Sequence, residues 1–497
     1  MKYIRIPVIV ILMVTLLLTG TAFAHEDEDS PEIDHLANPL ALIMADDGVS
    51  SLPVFKGPFP DTANMVFHSQ LSPDDLGALP LPGVWVKGMM NDLWGWTSPA
   101  GEEYALATNS GGIAVVRVTD PANPVYLGKI QSQSPANFGN IWGDPATFGN
   151  YAYFVTEIVG SSVIILDMSG LDALGPASSP DSILPAPVTF FSGGGYLGSH
   201  NVRINEASGF AYLAGVRLAS NNACGNTTPP DFNTLILDLN TDPTNPDVIA
   251  CLQNVGEHDF YVVNYTGPDT DHQGKEIAFV FDGRDRTGAA IGGFTEIWDV
   301  SDKGNISQLS SFRLPGLVFS HNGWTTDEQD FLFIGDELDE LVLAGWAFTP
   351  LFAQPPVETT NKPQTGTYIV DVSDLDNPVF VERYEDGTVG LDHNFVVEDN
   401  KLIIASYTSG TRVLEINRDS EGNVSLSPFA HMDTEPRLQE NILNIKQQEN
   451  FGSAFLGQWG IYAFPNSDTI IASDLNNGLV VMSLSDEPCF GMKCSLE

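Results

Sequence analysis

One sequence unit recurs seven times along this chain, and it constrains the fold more than any other feature. An apolar run ends on Asp, an Asx/Ser/Pro turn follows, and a second apolar run begins. The unit reads Ile113-Ala-Val-Val-Arg-Val-Thr-Asp-Pro-Ala-Asn-Pro-Val-Tyr-Leu127. It returns as Thr234-Leu-Ile-Leu-Asp-Leu-Asn-Thr-Asp-Pro-Thr-Asn-Pro-Asp-Val248 and as Thr367-Tyr-Ile-Val-Asp-Val-Ser-Asp-Leu-Asp-Asn-Pro-Val-Phe380. Shorter copies are Val163-Ile-Ile-Leu-Asp-Met168, Thr295-Glu-Ile-Trp-Asp-Val300, Thr411-Arg-Val-Leu-Glu-Ile416 and Gly478-Leu-Val-Val-Met-Ser-Leu484. Each run is short, β-branched and bounded by Gly, Asn, Asp or Pro, which is the pattern of a strand. Asn-Pro cannot sit inside a helix or a central strand, so it marks the turn that follows. Two more strand-like segments precede the unit, as in His200-Asn-Val-Arg-Ile204 and Phe210-Ala-Tyr-Leu-Ala214.

Seven four-stranded antiparallel units predict an all-β fold, a single seven-bladed β-propeller over residues 64–486. A parallel β-solenoid is the competing architecture, and long, uneven repeats disfavour it. The last repeat ends near Ser485 without a fourth strand. Met65-Val-Phe-His-Ser-Gln-Leu71 resembles a fourth strand that lacks its first three. It is expected to pair with the last blade and close the ring, removing the open edges.

The flanks read differently. Lys2, Arg5, the apolar stretch Ile6 to Leu18 and Ala22-Phe23-Ala24 make residues 1–24 a signal peptide. Residues 25–63 form an acidic, Pro-rich arm, and residues 487–497 a C-terminal tail with a Cys pair. The mature chain is expected to be secreted, to the periplasm or outside the cell, without membrane insertion, as a monomer. The 4 cysteines suit an oxidising compartment. Pairing by proximity, Cys224 with Cys251 and Cys489 with Cys494, is one of three connectivities.

Lys plus Arg number 21 against 64 Asp plus Glu, a net charge of −43. Nucleic acid is excluded as a partner because phosphate binding needs a basic footprint. Docking on anionic lipid is disfavoured for the same reason. At 43% hydrophobic residues the chain is no disordered acidic polymer. Cation binding and a cationic partner stay open.

With these motifs in hand, the chain resembles the choice-of-anchor B family of secreted bacterial β-propellers with LVIVD repeats. The resemblance runs from about Met65 to Ser485. It rests on Asn91-Asp-Leu-Trp-Gly-Trp-Thr97, Asp120-Pro-Ala-Asn-Pro-Val-Tyr-Leu-Gly128, Ser199-His-Asn-Val-Arg-Ile-Asn-Glu206, Tyr265-Thr-Gly-Pro-Asp-Thr270, Gly335-Asp-Glu-Leu-Asp-Glu340 and Asp392-His-Asn394, in that order. It implies the fold and an extracellular setting, and no established reaction.

Four of the 9 histidines occupy one repeat position, the start of the first strand: His200, His258, His321 and His393. Asn or Asp follows each. First strands line a propeller's channel, so these residues should converge on its mouth. Imidazoles with Asp92, Glu257, Asp259 and Asp392 nearby could hold a transition metal. The structural reading is that each His bonds the neighbouring blade. His25, His35, His68, His272 and His431 read as surface residues. A second, acidic ring after the second strands holds Asn109, Glu157, Asp282, Asp336, Glu337 and Asp474. Its oxygens would suit Ca²⁺, or simply form a solvated rim.

No Gly-x-Ser-x-Gly elbow and no Gly-rich phosphate fingerprint is present. A propeller phosphatase would need cations, for which Arg203, Arg217, Arg284 and Arg412 are the candidates. Two functions follow. One is a binding or scaffold module taking a protein, glycan, small-molecule or cation ligand at the channel mouth. The other is a metal-dependent hydrolase or oxidase built on the His ring. The only cofactor either implies is a divalent metal, calcium or a transition metal.

Overall fold

A computed structural model describes residues 54–80, 88–134, 142–225, 233–253, 257–283, 293–339, 364–437 and 455–490. Seven antiparallel sheets follow one another along the chain. The first is built from Met90–Thr97, Glu103–Asn109, Gly112–Arg117 and Val125–Gln131, each strand hydrogen-bonded to the next. The first strand of every sheet packs against the first strands of both neighbours, so the innermost strands form a closed circle. This is the seven-bladed β-propeller that the repeat predicts. Two short 3₁₀ turns, Leu171–Ala173 and Gly193–Gly195, lie in the connections between strands.

The near-continuous apolar runs of the central strands explain where the core lies. Each twisted sheet buries both faces against its neighbours, so the core is divided into seven wedges between blades. Tyr104, Leu106 and Val115 of the first blade meet Phe154, Ile164 and Leu166 of the second. Met90, Leu93 and Val116 of the first meet Ile471, Leu479 and Val481 of the seventh.

The recurring Asp has a local task. The carboxylates of Asp167, Asp238, Asp299 and Asp371 each accept the backbone N–H two residues on, at 2.9 to 3.1 Å. These Asx turns swing the chain out of the third strand. A good part of the acid excess therefore serves turn construction.

The outer strand of the seventh blade comes from the other end of the sequence. Met65–Leu71 pairs antiparallel with Gly478–Leu484, setting Met65 opposite Leu484 and Leu71 opposite Leu479. Just before it, Thr62–Ala63 adds to the outer edge of the sixth blade, on Val424–Met432. The end of the acidic arm is thus packed, with Phe59 buried at 1% exposure. Cys224 and Cys251 are bonded, with their Cα atoms 5.6 Å apart. Cys489 is also disulfide-bonded, while Cys494, like the signal segment and most of the arm, lies outside the described residues.

Candidate functional site

The strict register of the first strands brings the four histidines together. His200, His258, His321 and His393 form a continuous arc of imidazoles, with successive ring centroids 4.3, 4.3 and 4.1 Å apart. Trp459 of the seventh blade continues the arc, 4.4 Å from His393. In the second blade the equivalent position is Gly143 and in the first it is Asn91. A cavity of only about 10 Å³ lies here, lined by the four histidines with Trp142, Asp144, Asn201, Asn394 and Trp459.

Backbone carbonyls fix the tautomers of two of these rings. His258 Nδ1 lies 3.0 Å from the carbonyl of His321, and His393 Nδ1 lies 2.7 Å from that of Trp459. A carbonyl only accepts, so each Nδ1 carries the proton and each Nε2 keeps a lone pair. His200 Nδ1 instead meets the Glu157 carboxylate at 2.5 Å, with Arg217 on the other carboxylate oxygen. His321 is different. It is 1% exposed, and neither ring nitrogen has a hydrogen-bond partner. Burial pushes His258 down to about 3, with the His200 charge adding to the effect, and holds His321 and His393 well below the usual range. His258, His321 and His393 are therefore neutral at physiological pH and have lone pairs to give.

Glu337 joins it. Its carboxylate oxygens lie 3.7 Å from His321 Nε2 and 4.0 Å from His393 Nε2. Tyr407 Oη donates to the same carboxylate at 2.6 Å. One donor atom each from His258, His321 and Glu337 falls within a mutual 4.8 Å, a spacing that admits one metal ion. Burial raises the Glu337 carboxyl to about 7, against the lowering effect of the Tyr407 hydrogen bond. Two or three neutral imidazoles with one carboxylate are the donor set of a transition metal, not of calcium.

The aspartates proposed as further ligands are engaged elsewhere. Arg203 binds Asp259 bidentately, at 2.8 and 2.6 Å. Arg412 holds Asp392 at 3.1 Å and Asp386 at 2.7 Å. Asp92 accepts from the Leu93 N–H at 2.8 Å and is hydrogen-bonded to Asp144. With Arg217 on Glu157, three of the four arginines considered for phosphate binding already hold internal carboxylates. Arg284 and the side chain of Glu257 lie outside the described residues.

The solvated acidic rim requires correction. Asp282, Asp336 and Asp474 are 0% exposed and Glu157 is 6% exposed. The three aspartates end second strands, and Glu157 follows one by three residues. Asp336 accepts the N–H groups of Val318 and Phe319 at 2.6 and 2.9 Å. Asp474 accepts from Thr434 Oγ1 at 2.6 Å and from the Asn477 N–H at 2.9 Å, and burial raises it to about 7. Loop donors have thus taken the oxygens of Asp336 and Asp474, leaving them poorly placed for Ca²⁺. Only Glu157 and Glu337 of this ring reach the imidazoles.

His272 also departs from expectation, since it is 6% exposed. It contacts Asp376 at 2.9 Å and Asp269 at 3.9 Å, another triad of metal-ligating types. Lys275 Nζ, however, sits 3.0 Å from His272 Nδ1. An ammonium group there takes the Nδ1 lone pair, so Nε2 carries the proton and donates to Asp376. The triad is a clasp between the fourth and fifth blades. Replacing His272 by Ala is expected to destabilise the protein by about 1–2 kcal/mol in urea unfolding, whether or not metal is added. His431 pairs with Asp61 near the surface and His68 meets Ser483. His25 and His35 lie outside the described residues.

Fold and site together define a seven-bladed β-propeller with an imidazole cluster on its axis. No family model matches the chain, and no curated protein matches it. Among solved structures, the chain is similar to Kuenenia stuttgartiensis hydrazine synthase at 11% identity and a TM-score of 0.45, covering 89% of this chain and 99% of that one. A functionally unknown protein from Desulfotomaculum acetoxidans is similar at 10% identity and 0.43, covering 81% and 93%. The periplasmic gluconolactonase of Pseudomonas aeruginosa is similar at 13% identity and 0.40, covering 68% and 84%. Nothing about the site is carried over from these proteins.

Proposed function

We propose that the protein is an exported propeller that binds a divalent transition-metal ion on its axis and presents it at the channel mouth as a ligand-binding module. His258, His321 and Glu337 are the ligands, with His393 adjoining. The observation that carries this reading is the orphaned His321 imidazole, buried beside two other donors. An unsatisfied buried polar group costs roughly 1–3 kcal/mol, and a bound ion would satisfy it. Export fits the Cys224–Cys251 disulfide, and no helix among the described residues is long and apolar enough to cross a membrane. We also propose membership of the choice-of-anchor B propellers, on the motifs quoted above.

The same centre supports a metal-dependent hydrolase or oxidase as a second reading. What favours it is that Asp144 and Trp142 stand beside the imidazoles. Metal analysis of the purified mature protein tests both. The expected result is one equivalent of Zn, Co, Ni or Cu per chain, lost in a His258→Ala/His321→Ala double variant. Calcium alone, or no metal with unchanged behaviour of the variant, would remove the axial site.

A further inference from the structure

Tyr407 makes two connections to the axial site, and it does so from a strained backbone. Its φ is +30°, a conformation rare for a residue with a side chain. Such outliers persist only where surrounding structure holds them, and they concentrate at functional sites. Here the holding contacts are visible. The Tyr407 carbonyl accepts the N–H of Gly410 at 3.0 Å and that of Gln458 at 2.9 Å. Gly457 allows this approach, because a Cβ there would stand 2.0 Å from the Tyr407 oxygen.

The first connection runs through the side chain. The phenol is 0% exposed and its hydroxyl donates to Glu337 at 2.6 Å. The ring packs edge-on against His393 and Trp459, with centroids 5.1 and 5.7 Å away. The second connection runs through the backbone. By binding the Gln458 N–H, Tyr407 sets the start of the seventh blade's first strand. The next residue, Trp459, supplies the carbonyl that fixes the His393 tautomer. One turn residue therefore touches the carboxylate arm and the fourth imidazole directly, and fixes that imidazole's tautomer through one intermediary.

We propose that Tyr407 is the positioning residue of the axial metal site, orienting the Glu337 carboxylate toward His258 and His321 while its backbone aligns His393. This rests on the metal reading above and adds to it which residue pre-organises the ligands. Groups that orient a metal ligand typically contribute 10–100-fold in affinity.

The test is Co²⁺ titration of the full mature protein, followed by the visible spectrum of the bound ion. Tyr407→Phe keeps the ring packing and removes only the hydroxyl. It is expected to weaken Co²⁺ binding by about tenfold or more and to change the spectrum, with the unfolding transition still cooperative. Glu337→Gln and the double variant complete a cycle. If Tyr407 acts through Glu337, the double variant loses no more than Glu337→Gln alone. Wild-type affinity and spectrum in Tyr407→Phe, or losses that multiply in the double variant, would overturn the role of Tyr407 and leave the metal site standing. A wild-type protein that takes up no Co²⁺ would overturn both.

Discussion

Replacing Arg203 with Met is expected to destabilise the propeller by about 3–5 kcal/mol near neutral pH, the range for removing one partner of a buried ion pair. Met retains much of the stem packing and removes the guanidinium. Arg203 holds Asp259 through two hydrogen bonds, and the Asp259 side chain is 1% exposed. The same guanidinium draws down the carboxyls of Asp92 and Asp144, which hydrogen-bond to each other. Burial and the neighbouring Asp92 charge hold Asp144 well above the carboxylate range, and burial raises Asp92. Asp144 therefore keeps the proton and donates it to Asp92. A carboxyl whose folded pKa exceeds its unfolded value stabilises the fold fully below the unfolded value, and that contribution is lost as pH rises through the folded one. Removing Arg203 lifts both folded values further, so the variant's deficit should be smaller at about pH 5 than at about pH 8. Urea unfolding at the two pH values measures this. An equal deficit at both would mean that Arg203 does not act through the Asp92–Asp144 pair, only through Asp259, packing and its contact with the Trp94 ring.

Much of this arrangement was legible in the sequence, for a specific reason. The first and third strands repeat strictly, so aligning His200, His258, His321 and His393 by register already places them on one axis. Strand polarity and Asx-turn chemistry are local, and the chain records them directly. By its spacing Glu337 falls in a separate acidic ring, because it directly follows a second strand. Its approach to His321 and His393 depends on how neighbouring blades twist together, which no spacing records. The fates of Arg203, Arg217 and Arg412 were hidden likewise, since each pairs with an acid brought close by the fold. Trp459 had a usable signal: Gln458-Trp459-Gly460-Ile461 aligns with the His-Asn and His-Asp pairs of other blades. Tyr407 had none. It sits in a turn, and its importance arises from a backbone angle and a neighbouring glycine.

His321 supplies the sharpest test of whether the axial cluster exists for a ligand or for the fold. A histidine retained to tie blades together would stabilise the protein through its side-chain hydrogen bonds, and the His321 imidazole makes none. His321→Leu, a substitution of similar volume at a 1% exposed position, removes two unsatisfied polar atoms. Without metal, the variant is expected to be as stable as the wild type or more stable by roughly 1 kcal/mol. With Zn²⁺ at about 100 times its dissociation constant, the wild type should gain about 2.7 kcal/mol by linkage and the variant almost nothing. The order of stabilities should therefore reverse when metal is added, a pattern that loss of packing cannot produce. Thermal unfolding of both proteins, with chelator and then with Zn²⁺, reads it out. A variant weaker in chelator, with the same Zn²⁺ response as the wild type, would show that His321 serves packing alone. Reversal would mean that the fold carries an unsatisfied imidazole because an ion completes it, as expected where a site is kept at the expense of stability.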